Sequence, residues 1–97
     1  MDKEGFKSWL LANGFTKEYL IKDTISRAKR AETAFKQLDE NFSFEREVAK
    51  DGGVQISKLI SRRGVTIEKP INLPVGTNQM DSIANAVKKY IKYLSTR

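Results

Sequence analysis

The chain has 97 residues, of which 39% are hydrophobic and 31% charged, with a formal net charge of +6. That length suits a single domain (residues 1–97) around one core, and the supply of large apolar residues argues against a disordered chain. Cysteine and histidine are both missing, which excludes disulfides, thiolate chemistry, cysteine-ligated zinc and the commonest general base near neutral pH.

No apolar run approaches the ~20 residues that span a bilayer, and Met1-Asp2-Lys3-Glu4 lacks a signal-peptide pattern. The expected location is therefore cytoplasmic, with no membrane partner. The positive charge is unevenly placed. Residues 1–51 carry as many acidic as basic side chains. Residues 52–97 hold Lys58, Arg62, Arg63, Lys69, Lys88, Lys89, Lys92 and Arg97 against only Glu68 and Asp81. Such asymmetry suggests a polyanionic partner, and a merely solvated basic surface is the bland alternative.

The first predicted helix runs from about Lys3 to Ala12, with Asp2 as N-cap and Asn13-Gly14 as its stop. Phe6, Trp9 and Leu10 fall on one face, which makes Trp9 a core anchor. The next helix starts after Thr16, a candidate cap, and continues to about Leu38. Ile21, Ile25, Ala28, Ala31 or Glu32, Phe35 and Leu38 make its apolar stripe, and Lys22, Ser26, Arg27, Lys29, Arg30 and Lys36 its polar face. Asp23-Thr24 is a potential interruption. The small Ala28, Ala31 and Ala34 allow another helix to approach closely.

Ser43 is the candidate cap of a short third helix ending at Val48 or Lys50, with Phe42 and Phe44 packing nearby. Asp51-Gly52-Gly53 signals a turn. Val54, Ile56, Leu59 and Ile60 mark a fourth short helix that ends in Ser61-Arg62-Arg63-Gly64. Between Val65 and Gly76 the pattern alternates and is bounded by Pro70 and Pro74, so a loop or a small two-stranded ribbon is expected. Thr77 or Asn78 caps the last helix. Its stripe is Met80, Ile83, Val87, Ile91 and Leu94, with Ala84 and Tyr90 at the edge and Lys88, Lys89 and Lys92 flanking it. The expected fold is mostly all-α: a small bundle of four to five helices.

Catalysis finds little support. Asp39-Glu40 and Glu45/Glu47 lie in charged stretches and read as solvated surface, without the contrasting environments an acid/base pair needs. Gly52-Gly53 lacks the flanks of a phosphate-cradling loop. No catalytic residue, metal ligand set or cofactor is expected. The basic positions are the stronger lead, because Lys and Arg neutralise phosphates while short polar donors fix register on the backbone. Ser26, Arg27, Lys29 and Arg30 lie on the outer face of the long helix. Arg62 and Arg63 stand at a corner, and Lys88, Lys89 and Lys92 extend the field. Duplex DNA is the expected partner. The alternative is a protein-binding accessory or inhibitor module using an apolar patch of Phe42, Phe44, Ile71 and Leu73, residues that would otherwise belong to the core.

Two stretches carry a resemblance. Trp9-Leu10-Leu11-Ala12-Asn13-Gly14-Phe15-Thr16, followed by Ile25-Ser26-Arg27-Ala28-Lys29-Arg30-Ala31-Glu32, resembles the N-terminal core-binding, SAM-like domain of phage integrases and other tyrosine recombinases. The aromatic-basic pattern Ala86-Val87-Lys88-Lys89-Tyr90-Ile91-Lys92-Tyr93-Leu94 is similar to that family's closing helix. The resemblance implies a four- or five-helix bundle that clamps one side of duplex DNA through Ser26, Arg27, Lys29 and Arg30, as part of DNA recombination. It implies no catalysis, because the family's catalytic tyrosine, arginines and histidines belong to a separate domain. Tyr90 and Tyr93 have no accompanying His-x-x-Arg element and are not read as nucleophiles.

Overall fold

A computed structural model describes residues 1–97. The chain forms five α-helices and no strand: α1 (Lys3–Ala12), α2 (Glu18–Phe35), α3 (Phe44–Asp51), α4 (Val54–Ile60) and α5 (Gln79–Thr96). The long helices α2 and α5 share the largest interface. α1 packs against both, and α3 and α4 pack on each other and on α5. The 65–76 segment is an irregular loop, as one of the two sequence alternatives has it; Leu73 and Val75 bond back to Ile71 and Leu73 in local turns.

Small residues make the central contact possible. Ala28, Ala31 and Ala34 of α2 and Ala84 and Ala86 of α5 are all buried, so the helices approach closely and larger side chains fill the space around them. Phe6, Leu10, Ile21, Phe35, Phe44, Ile56, Ile60, Met80, Val87 and Tyr90 complete the core. Each such side chain contributes roughly 1.5–3 kcal/mol by leaving water. An aromatic chain runs through it: Phe35, Phe42 and Phe44 pack in sequence, then Tyr90 and Phe6, with centroids 4.9–5.6 Å apart. Trp9 is half-buried, stacked on Phe6 at the edge of the core and not at its centre.

Several expectations are corrected. α2 begins at Glu18 after Lys17, which makes no side-chain cap bond, so Thr16 is not its cap. Asp23-Thr24 does not interrupt the helix, because the Thr24 hydroxyl donates to the Leu20 carbonyl one turn back. α2 also stops at Phe35. Gln37 and Leu38 bond back three residues to Ala34 and Phe35, which tightens the chain into a turn. Ser43 caps α3 through the Arg46 N–H. Asn78, one of the two expected residues, occupies the N-cap position of α5 but makes no side-chain cap bond, and the Thr77 hydroxyl donates to Pro74 O.

Tyr90 sits in the centre of the core, not at its edge. Its ring is fully buried, its hydroxyl donates to Glu45, and it accepts from the Asp2 N–H at 2.6 Å. Glu45 is consequently half-buried and Glu47 buried, where solvated carboxylates were expected. Asp39 and Glu40 are exposed, and Asp39 pairs with Arg46. Phe42, Phe44 and Leu73 are buried and Ile71 half-buried, so the apolar docking patch anticipated from them is part of the core.

Candidate nucleic-acid interface

The inner side of α2 is taken by Ile21, Thr24, Ala28, Ala31, Glu32, Ala34 and Phe35. The 3.6-residue period then leaves Ser26, Arg27 and Arg30 exposed, as the sequence predicts. Two shallow depressions adjoin along this face and share Ser26 and Arg30. The first, of about 340 Å³, is walled by Lys3 from α1, Lys29 and Thr33 from α2, Gln37 from the turn that follows it, and Asn72 from the long loop. The second, of about 310 Å³, sets Arg27 and Arg30 opposite Gln79, Ser82 and Ile83 in the first turn of α5. No carboxylate lines either depression.

The cations here differ in what already holds them. Arg27 and Arg30 form no ion pair. Lys29 is half-buried and its Nζ lies 3.4 Å from the buried Glu32 carboxylate, which also lies 3.7 Å from the Met1 ammonium. Part of its charge is therefore compensated. Asn72 is fixed by its N–H, which donates to Gln37 Oε1 at 3.3 Å. The long loop thereby forms one wall of the surface.

A scan against protein-family models finds no match, and searches of curated proteins and of solved structures find none either. Its own residues must carry the functional reading.

The remaining predicted site residues divide into three groups. Arg62 is exposed and its side chain makes no ion pair or hydrogen bond, whereas Arg63 pairs with Asp81 at 3.3 Å. Lys88 and Lys92 lie on an exposed stripe of α5 together with Asp81 and Asn85, turned away from the Ser82 edge by about a quarter of the helix circumference. Lys89 shares the Ser82 edge two turns along, about 10 Å away, with its ammonium 5.7 Å from the Phe15 ring centre. The structure thus assembles Ser26, Arg27, Lys29 and Arg30 into one surface and leaves Arg62, Arg63, Lys88, Lys89 and Lys92 outside its lining. Sequence reading missed Lys3, Thr33, Gln37, Asn72, Gln79 and Ser82. Thr33 extends the outer face of α2 at helical spacing and Gln37 continues that spacing into the turn beyond it, so both had a signal. The others arrive from segments with none.

No group of three or more potential metal ligands occurs, and no helix is long and apolar enough to cross a membrane. The perturbed acids lie away from α2's outer face and hold the fold together. The Tyr93 hydroxyl and the Gly5 N–H hold Asp2 below the usual aspartate range. Burial alone would raise Glu45, but the Tyr90 hydroxyl, a backbone N–H and the Met1 ammonium outweigh it and hold the carboxyl low. Burial and the bond to Glu45 push the Tyr90 phenol up.

Proposed function

We propose that the chain is a non-catalytic DNA-binding module that contacts the phosphates of duplex DNA through the exposed face of α2. The observation that carries this reading is the pair of acid-free depressions in which Arg27 and Arg30 stand unpaired among neutral hydrogen-bonding side chains. An unpaired guanidinium binds phosphate without first giving up a carboxylate, and its planar fork suits a phosphate edge. Ser26, Thr33, Gln37, Asn72, Gln79 and Ser82 supply donors of the kind that position a sugar-phosphate backbone. The likeness to integrase core-binding domains points the same way, through the same four α2 residues. No constellation for reading base edges accompanies them, so the module is assigned to backbone recognition with little intrinsic sequence preference.

The test is fluorescence anisotropy with a short labelled duplex of arbitrary sequence, across a range of salt. Binding should weaken steeply with salt. Arg27→Ala with Arg30→Ala should lower the slope of log K against log salt by about 2, one unit for each lost phosphate contact, and leave the melting temperature unchanged. No binding at low salt would overturn the reading.

One observation favours a second reading. Leu11, Tyr19 and Leu20 are 52%, 59% and 40% exposed around the junction of α1 and α2. An accessory or inhibitor module would dock a protein there, and such an apolar interface would hardly respond to salt.

A further inference from the structure

Between α4 and the long loop, the chain turns a corner that costs conformational energy. Arg62 and Arg63 have φ of 51° and 57° with ψ of 41° and 29°, and Gly64 follows with φ of 74°. These are three consecutive residues in the left-handed region. L-residues with a Cβ enter it reluctantly and as single residues, because the Cβ crowds the following carbonyl. Arg62 and Arg63 are the only non-glycine residues with positive φ in the chain. Glycine stands at every other such position.

Local structure accounts for two of the three. Gly64 is buried against Met80, Ile67 and Val75, where even a Cβ would have no more than 3.4 Å of room. Arg63 is anchored twice: its carbonyl accepts the Gly76 N–H at 2.8 Å, closing the long loop, and its guanidinium pairs with Asp81. Arg62 has no such anchor. Its carbonyl accepts the Val65 N–H at 3.3 Å, a bond glycine would make equally well, and its side chain is exposed without a partner. The fold needs a left-handed residue here but gains nothing from an arginine. Position matters as well. The Arg63–Asp81 pair places the corner on the first turn of α5, at the head of the exposed stripe that carries Lys88 and Lys92 and about a quarter of the helix circumference from the Ser82 edge.

We propose that Arg62 is a phosphate-binding residue, a further contact outside the α2 surface, displayed on a corner that Arg63 and Gly64 hold in place. Strained residues gather where a ligand contact outweighs the cost in stability, and a free guanidinium suits a phosphodiester oxygen. The inference rests on the DNA-binding reading above. It assigns different tasks to two adjacent arginines: Arg62 meets the ligand, and Arg63 builds the corner.

Arg62→Gly separates the two quantities, because glycine accepts the backbone conformation and removes only the guanidinium. The expected result is a melting temperature raised by a few degrees, with duplex affinity at low salt several-fold weaker and a salt slope shallower by about 1. Arg62→Lys should restore most of the slope without the gain in stability. Lys50→Gln, which removes one positive charge on α3 away from this surface, should leave the slope unchanged. If Arg62→Gly binds like the parent while the Arg27/Arg30 double variant does not, the inference falls and the DNA reading stands. A melting temperature that does not rise overturns the strain argument and the inference with it. If the parent chain binds no duplex at low salt, both fall.

Discussion

Asp2 ties α1 to α5. One carboxylate oxygen accepts the Gly5 N–H at 3.0 Å and so caps α1, and the other accepts the Tyr93 hydroxyl and pairs with Arg97. Gly5 is part of this arrangement, since a Cβ there would lie 1.9 Å from the Tyr93 hydroxyl. Gly→Ala inside a helix ordinarily stabilises by about 1 kcal/mol. Gly5→Ala should do the opposite, by about 1–3 kcal/mol through overpacking, as read from thermal unfolding followed by circular dichroism. The titrating groups set two limits on stability. Asp2 and Asp39 lie below their ordinary value of 3.8 and Glu45 below 4.5, so their stabilisation is complete above those values and is lost as pH falls through the depressed folded values. Tyr90 and Tyr93 are raised above 10.0, so their stabilisation is intact below that pH and is lost as pH rises beyond it. Urea midpoints measured against pH should form a plateau with an acid and an alkaline limb. Tyr90→Phe should reduce the alkaline limb and cost about 1–2 kcal/mol at neutral pH, by leaving Glu45 and the Asp2 N–H without their partner.

Among the elements, α3 is short enough for its cap to matter, and Ser43→Ala should cost about 1 kcal/mol in chemical denaturation. Val87 is fully buried on α5, and Val87→Asp should abolish the cooperative unfolding transition, since nothing nearby compensates a buried carboxylate. The bounds of α1 and α4 and the start of α3 were legible because caps and glycine stops are local chemistry; α3 itself runs on to Asp51, which the sequence pattern assigns to the following turn. The end of α2 was not: Leu38 continues the apolar spacing and packs against the core, although the helix has already tightened into a turn. Tyr90 was misplaced for a related reason. Its hydroxyl marks it as an edge residue unless Glu45 is known to meet it, and the two are 45 positions apart. The same limit governs the candidate site. Periodicity exposes Ser26, Arg27 and Arg30, but nothing local announces that Lys3, Asn72, Gln79 and Ser82 join them, or that Asp81 compensates Arg63.

Over the whole molecule, the excess charge in the second half does not form a single patch. Lys88 and Lys92 face another direction from Arg27 and Arg30, so they contribute to the proposed binding through their long-range field. Lys88→Gln with Lys92→Gln should therefore weaken duplex binding at low salt and lose its effect near 0.15 M, where the screening length is about 8 Å. The effect of the Arg27/Arg30 double variant should persist there. The dependence of α1 and α2 on α5 also bears on how the protein is made. Phe6 packs on Tyr90 and Tyr93 of α5, α2 has its largest interface with the same helix, and the bonds that lock α1 join Asp2 to Tyr90 and Tyr93, 88 and 91 residues on. Until α5 has been made, the α1–α2 pair lacks its main partner. The bundle therefore cannot fold progressively during synthesis, but is completed in one cooperative step once α5 has emerged, before which its unburied aromatic side chains are open to chaperones and to other chains.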